Sequence, residues 1–436
     1  MEPVKGRVYL PPIAMKRKWA LPLFSFSLLV VFFLTSLNMG LLGSVPAINS
    51  VLSLFLDRTS GERRPSPNFV EAKLSAPPPV SSPPVPRLAY LVSGSKGDLD
   101  RLWRTLHALY HPRNLYVVHL DLESPAAERN ELAVRLANHT LFAKVGNIHM
   151  IQKANMVTYR GPTMVSNTLH ACAILLKKTK EWDWFINLSA SDYPLVTQDD
   201  LLFSFSKLPR NLNFVEHTSR LGWKEGKRAK PLMVDPGLYL MNKSDVFFVS
   251  PKRQLPTAFK LFTGGGNPLK RRVGVDGPDE GVRGVLHLGL GQPPRILLMY
   301  YTNFVSSPEG YFQTVICNSP EFNGTVVNYD LHYISWDVPP RQHPHTLSVN
   351  DTRKMIQSNA PFARKFRRTT RCSTRSTRSS SAGEDGVTPG GWCAGKPRCS
   401  LVGDETRLRP GPGSRRLQRL MDRVVQSPAF EANQCR

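Results

Sequence analysis

The chain has 436 residues, an ordinary apolar content of 41% and a formal net charge of +24 at pH 7. This length allows one large domain or two ordinary ones, and so positive a charge suits nucleic acid, an anionic membrane or an anionic substrate. The basic residues form no single long run and no nucleic-acid motif accompanies them, which argues against nucleic acid. Six cysteines are too few for a disulfide scaffold, although Cys393, Cys399 and Cys435 could form one or two local bridges in an oxidising compartment.

The N-terminal region predicts a membrane anchor. Residues 19–42 carry no charged side chain and are long enough to cross a bilayer. Basic residues stand just before this run, so the positive-inside rule leaves residues 1–18 in the cytosol as a short tail. A cleaved signal peptide is the alternative, but the run is long for one and no clean small-residue cleavage site follows. Residues 43–86, rich in Pro and Ser, predict a semi-rigid stem.

This layout is that of a single-pass type II Golgi membrane protein with a lumenal catalytic domain at residues 87–436. Asn-x-Ser/Thr sequons agree with a lumenal domain, and Asn187 is excluded as a glycan site because it falls in a predicted core strand. The remaining glycosylation candidates are Asn138, Asn242, Asn323 and Asn350.

Strands alternate with helices from Arg87 onward. The predicted strands are residues 88–92, 115–121, 141–152 and 184–188, and the predicted helices are 99–109, 125–138 and 163–178. This alternation predicts an α/β fold with a doubly wound, mainly parallel sheet. Ligands of such sheets bind beyond the carboxyl ends of the strands, so the segments ending near Val92, Asp121 and Asp192 are expected to form one rim. No Gly-x-Gly-x-x-Gly or Walker sequence indicates a dinucleotide or P-loop site.

Asp121 and Glu123 flank one residue after a predicted strand, a spacing that could hold a divalent metal on a diphosphate. We favour the simpler interpretation of one strand-end Asp and one solvated Glu, because such pairs are common by chance.

A second carboxylate, Glu309, follows the turn signal Ser307-Pro308 and precedes an apolar, helix-compatible run that begins at Tyr311. A carboxylate at the start of a helix can be held by the helix dipole and, if it faces a cleft, can act as a general base. The alternative is a Glu that only caps the helix, which the local pattern alone favours.

Several motifs together carry a family resemblance. They are RLAYLVSG (87–94), YVVHLD (116–121), WFINLSASDYP (184–194), LMYYTNF (298–304) and SPE (307–309). With them the chain resembles the core-2/I-branching glycosyltransferase family, in particular its plant branch of β-glucuronosyltransferases that act on arabinogalactan proteins. The resemblance covers about residues 87–264, 296–368 and 389–436.

The resemblance implies a GT-A-type fold, a UDP-sugar donor, inversion at the anomeric carbon and no metal cofactor. Glu309 would take the proton from the acceptor hydroxyl, Asp121 would hold the uridine moiety, and Val92 and Asp192 would belong to the same donor site.

Basic side chains would replace a metal at the departing diphosphate. Lys365 matches the family's basic position, and Arg341 is a looser match whose role His343 or His345 could take. The alternative for Lys365 and its neighbour Arg364 is a solvated basic face.

The function implied is transfer of glucuronate from UDP-glucuronate to β-galactan chains of arabinogalactan-type glycoproteins in the Golgi lumen, for the plant cell wall. The expected partners are the UDP-sugar, the glycoprotein glycan and, through residues 19–42, the membrane; nucleic acid is not expected. The alternatives are the same fold with UDP-N-acetylglucosamine or UDP-xylose, and a catalytically impaired lumenal pseudoenzyme.

Two segments, residues 265–294 and 369–388, depart from the family. LGLGQPP (288–294) is what a family WGWDNLP sequence gives in another reading frame, and TTRCSTRS (369–376) relates in the same way to a family DDPVLDKID run. We infer frame shifts and expect both segments to be irregular, with Cys372 an artefact and the native charge below +24. Gly and charged residues cannot replace a buried apolar strand, so the written chain would fold poorly or lack activity; transcript sequencing across both segments tests this.

Overall fold

A computed structural model describes residues 85–239, 247–250, 253–264, 292–339, 343–367, 386–426, 429–432 and 434–435. The predicted cytosolic tail, the anchor and nearly all of the stem lie outside these residues, as do Asn242 and Arg341. None of the helices within these ranges is long and apolar enough to cross a membrane.

The central element is a four-stranded parallel sheet, which confirms the predicted sheet type. Its strands are β1 (Leu88–Gly94), β2 (Leu115–Leu120), β3 (Ile148–Met150) and β4 (Trp184–Ser189), in the spatial order β3-β2-β1-β4. β1 and β2 read as nearly continuous apolar runs, as expected for strands with both faces covered.

Helices connect the strands of this sheet, and further helices follow β4. In chain order they are α1 (Leu99–Leu109), α2 (Ala126–Asn138), α3 (Thr140–Val145), α4 (Thr163–Lys178), α5 (Gln198–Phe205), α6 (Gln292–Tyr301), α7 (Tyr311–Cys317), α8 (Thr352–Gln357), α9 (Pro412–Val425) and α10 (Ala429–Ala432). The three helices predicted from apolar spacing, α1, α2 and α4, are confirmed to within one residue at each end.

The strand predicted over residues 141–152 is only partly correct. The short helix α3 takes the first half, and Gly146 ends it in the left-handed region at φ 69°, a conformation that glycine adopts readily. Only Ile148–Met150 then pairs with β2.

A second, three-stranded sheet lies beside the carboxyl end of β4. It consists of β5 (Tyr193–Pro194), β10 (His332–Ile334) and β11 (Phe362–Arg364), with β11 in the middle. Because β5 follows β4 after three residues, this sheet brings the basic positions 364 and 365 to the edge of the main sheet.

The remaining strands form short pairs. They are β6 (Asn213–Phe214) with β9 (Val326–Val327), β7 (Leu232–Val234) with β8 (Phe247–Ser250), and β12 (Cys393–Ala394) with β13 (Leu401–Val402).

Two disulfides link described residues. Cys393–Cys399 confirms a local bridge, whereas Cys435 pairs with Cys317, 118 positions away, at the end of α7. Among the described cysteines, Cys172 is buried and is not part of a disulfide.

Most of the two atypical segments lies outside the described residues. At the end of the first, residues 292–294 form the beginning of α6, so the expectation of irregular structure is wrong there. Residues 386–388, at the end of the second, are irregular as expected.

Candidate active site

The ends of β1, β2 and β4 meet at one rim, as predicted. Asp121 is the first residue after β2; its N–H donates to the Gly94 carbonyl (3.0 Å), and Ser95 Oγ donates to its Oδ1 (3.0 Å). Asp192 lies just after β4 and accepts a hydrogen bond from the Ser189 N–H (2.6 Å). Both carboxylates are buried, so the rim holds two acidic groups, one held by a serine hydroxyl and the other by a backbone N–H.

Two other predicted positions differ in their surroundings. The Val92 side chain is fully buried in the core, so only its backbone lies near the rim, and its role at the donor stays a prediction. Glu123 is half-buried, and neither it nor Asp121 belongs to a group of three or more metal-ligand side chains within the described part of the chain.

Arg364 and Lys365 enter the rim from the second sheet. Arg364 Nε lies 3.0 Å from Asp192 Oδ1, so Arg364 is paired with a buried carboxylate and is not part of a solvated basic face. Lys365 is exposed as a whole residue, but its ammonium group is partly buried. This burial, together with the charges of Arg364 and Arg101, lowers the pKa of Lys365. A crowded cluster of cations of this kind is stabilised by an anionic ligand.

The other basic candidates lie on the segment before α8. Arg341 lies outside the described residues, and His343 is exposed. His345 Nδ1 is 2.9 Å from Asp337 Oδ1, and its Nε2 is 3.6 Å from Asp351 Oδ2, so this histidine already has two acidic partners.

Glu309 is 5% exposed and lies in a turn before a helix that begins at Tyr311, as predicted, but its side chain does not cap that helix. It closes a 3₁₀ turn, Ser307–Glu309, and Gly310 separates it from α7. Side chains from elsewhere in the chain contact this carboxylate.

Three side chains contact the Glu309 carboxylate. The Tyr159 hydroxyl donates to Oε1, and the Arg228 guanidinium contacts Oε2. Lys224 Nζ lies 3.5 Å from Oε2 and also donates to Thr263 Oγ1 (3.0 Å) and to the Gly264 carbonyl (2.6 Å). Opposite charges this close favour the ionised carboxylate, which is the form that a base requires.

The sequence did not point to Tyr159, Lys224 or Arg228. A signal for two of them exists: Lys224 and Arg228 stand four residues apart around the π-helical turn Glu225–Ala229, a spacing that places side chains on one helix face. Their common partner is distant in sequence, so the pattern alone could not supply it.

A short loop joins the rim to Glu309. The Asn155 carbonyl accepts from the N–H of Leu122, the neighbour of Asp121, and Tyr159 donates to Glu309. Four residues of extended chain span at most about 14 Å, so the loop limits the distance between these two contacts. One short segment thus contacts both the end of β2 and the buried carboxylate.

Asp235 fixes this loop at its far end. Its Oδ1 accepts from Thr158 Oγ1 (2.7 Å), and its Oδ2 accepts from the Thr163 N–H (3.1 Å). A side chain at Gly161 would overlap Asp235, so glycine permits the close approach. The position of Tyr159 next to Glu309 is therefore set by a buried network.

A parallel sheet with such a rim is compatible with several classes of nucleotide-dependent enzyme, because fold alone does not define function. Similarity to known proteins distinguishes among these enzyme classes. The model of the Core-2/I-Branching enzyme family matches residues 88–269 and 285–356, with an interruption inside the first atypical segment.

Three curated relatives extend this similarity, two of them to nearly the whole chain. Beta-glucuronosyltransferase GlcAT14A of Arabidopsis thaliana is 51% identical over 433 residues, which is 97% of this chain and 94% of the relative. Beta-glucuronosyltransferase GlcAT14B of the same plant is 52% identical over 97% of this chain and 96% of its own length, and GlcAT14C is 45% identical over 81% and 86%. The chain belongs to the core-2/I-branching enzyme family.

Proposed function

We propose that this protein, a glycosyltransferase, transfers glucuronate from UDP-glucuronate to β-linked galactan chains of arabinogalactan-type glycoproteins. Support for the donor comes from the relatives named beta-glucuronosyltransferase, which share about half of the residues. Support for the chemistry comes from a single feature, the buried Glu309 carboxylate beside the strand-end rim.

Glu309 is the general base of this proposal. Its carboxylate takes the proton of the acceptor hydroxyl as that oxygen attacks the anomeric carbon of the donor sugar. The bond from the anomeric carbon to the diphosphate oxygen breaks, and UDP leaves with the bonding electron pair. One displacement inverts the anomeric centre, so an α-linked donor gives a β-linked product, in agreement with the relatives' names.

Cationic side chains stabilise the leaving diphosphate in this proposal. Lys365 and Arg364 lie at the rim beside Asp192, where charge-assisted contacts to phosphate oxygens form without a metal. Asp121, at the end of β2, holds the uridine moiety. We propose that transfer needs no metal ion.

The cellular setting is part of the same proposal. Residues 19–42 act as a signal-anchor, and the domain from residue 87 onward works in the Golgi lumen as a type II membrane protein. Asn138 and Asn350, which are exposed, and the half-buried Asn323 are the described candidates for glycans.

A donor screen of the full-length protein tests the proposal. UDP-glucuronate, UDP-N-acetylglucosamine and UDP-xylose are each supplied with a β-galactan oligosaccharide, with and without a chelator. We expect transfer from UDP-glucuronate alone, unchanged by the chelator. Activity that requires Mn²⁺ would overturn the metal-free step, and transfer from another donor would change the sugar assigned.

The variant Glu309→Gln tests the base. It keeps the shape of the side chain and removes the negative charge, so we expect UDP binding to persist while transfer falls by about 10²-fold or more. Glu321→Gln, at an exposed position in the same part of the chain, serves as the control. Normal turnover by Glu309→Gln would remove Glu309 as the base, and UDP binding without any transfer by the wild type would indicate an impaired enzyme.

A further inference from the structure

Two aromatic side chains near Glu309 are unusually open. Trp223 is 48% exposed and Tyr159 is 40% exposed; among the described tryptophans and tyrosines the other strongly exposed ring is that of Tyr239, at 64%. An exposed aromatic side chain does not contribute the hydrophobic stabilisation that it would give if it were buried. Open rings beside a reacting carboxylate are therefore candidates for ligand contact.

Trp223 is linked to Glu309 through its neighbours. It directly precedes Lys224, and the guanidinium carbon of Arg228 lies 5.2 Å from the centroid of its ring. Arg228 contacts the indole and also the Glu309 carboxylate, so one cation joins the two groups.

Tyr159 reaches Glu309 from a second direction. Its hydroxyl donates to Oε1 while two-fifths of the residue stays exposed, so the ring extends from the carboxylate toward solvent. The Asp235 network holds the loop that carries it. Tyr159 thus contacts the carboxylate directly, and Trp223 is linked to it through Arg228.

The chemistry of a pyranose fits such a pair of rings. In β-galactose the axial 4-hydroxyl points to one side of the ring and leaves adjacent C–H groups on the other. This C–H face carries a partial positive charge that complements the negative face of an indole. Because Trp223 and Glu309 share Arg228 as a contact, a sugar held against the exposed part of Trp223 lies in the neighbourhood of the carboxylate that would take its proton.

We propose that Trp223, with Tyr159 beside it, is the binding platform for the galactose residue of the acceptor that receives the sugar. The inference rests on the proposed function and names the acceptor subsite of the same site. Trp223 contributes stacking surface, and Tyr159 acts as a positioning residue for the base.

Kinetics of the full-length protein separate these roles. With saturating UDP-glucuronate, Trp223→Ala raises KM for a neutral β-galactan oligosaccharide by about tenfold. The same variant leaves KM for UDP-glucuronate, measured by donor hydrolysis without acceptor, unchanged. Trp223→Phe restores most of the acceptor affinity, whereas Tyr159→Phe lowers kcat and leaves the acceptor KM near the wild-type value.

Leu401→Ala is the matched control, because Leu401 has the same exposure of 48% but lies in the β12–β13 hairpin. It changes neither KM. An unchanged acceptor KM in Trp223→Ala would overturn the platform, and a raised KM for the donor would assign the indole to the nucleotide instead.

Direct binding distinguishes failure of the platform from failure of the proposed function. If the wild type transfers no glucuronate, the proposed function fails, and calorimetric titration with the β-galactan oligosaccharide still tests the platform. Binding by the wild type that Trp223→Ala weakens supports it. Absence of binding, or equal binding by both proteins, overturns it.

Discussion

Lys224 is the more deeply buried of the two cations that contact Glu309. Its side chain is 3% exposed, compared with 12% for Arg228. Lys224 also donates to Thr263 Oγ1 and to the Gly264 carbonyl, so it fastens the residues that precede the first atypical segment. A charge at this depth is stable only while its partners remain in place.

Lys224→Met is expected to destabilise the protein and to lower activity together. The change leaves the Gly264 carbonyl and one side of the Glu309 carboxylate without their donor, which typically costs about 3–5 kcal/mol when a buried pair is broken. Urea unfolding and transfer assays measure the two effects. Lys227→Met, an exposed change on the same turn, is the control and should stay within about 0.5 kcal/mol of the wild type.

Equal stability of Lys224→Met and Lys227→Met would show that the buried contact contributes little to folding. The Lys224 ammonium group would then affect activity, through its charge next to Glu309, but not stability.

At the scale of elements, the turn that carries Glu309 packs tightly against α6 and the chain before the first atypical segment. A Cβ at Gly310 would lie 2.7 Å from the Tyr301 hydroxyl and 3.0 Å from the Phe262 carbonyl. The Glu309 carbonyl also accepts from the Gly264 N–H (2.9 Å). Glycine between the 3₁₀ turn and α7 is therefore what allows the carboxylate to sit this close to its partners.

Gly310→Ala should displace the turn. We expect a moderate loss of stability and, in addition, a lower kcat because the base is displaced. Overpacking of this kind typically costs about 1–3 kcal/mol, while a shift of the base by a fraction of an ångström impairs proton transfer. Thermal unfolding and the kcat of transfer are the measurements. In Gly324→Ala, where a Cβ would meet nothing within 4 Å, both should stay unchanged; equal behaviour of the two variants would contradict the packing argument.

At the scale of the molecule, the sequence was most informative where contacts are local. Apolar runs bounded by turns gave β1, β2, β4 and the helices α1, α2 and α4. It was least informative at residues 140–146, where a short helix and a strand are both compatible with the same apolar residues.

The partners of Glu309 could not be derived from local pattern. Tyr159 is 150 positions away, and the cations at 224 and 228 lie on another loop. The Cys317–Cys435 disulfide, which spans 118 positions, is likewise a long-range contact. These pairings form only when distant parts of the chain fold together, and the spacing of residues along the sequence does not predict them.

The folded chain also buries a histidine on the edge strand of the second sheet. His332, on β10, is fully buried, and this burial lowers its pKa to about 4; Asp192 opposes the shift and Arg364 adds to it. In the unfolded chain the pKa of a histidine is about 6.5. Between these two values the unfolded state binds a proton that the folded state does not.

Stability should therefore fall as the pH decreases from about 6.5 to about 4, and His332 should account for about 3 kcal/mol of this loss. His332→Gln removes the titrating group, so its free energy of unfolding should depend less on pH over this range, whatever its value at pH 7. Urea unfolding at pH 7, 5.5 and 4 measures the difference. His343→Gln, at an exposed position, should follow the wild type; a His332→Gln profile as steep as that of the wild type would show that His332 becomes protonated without cost in the folded protein.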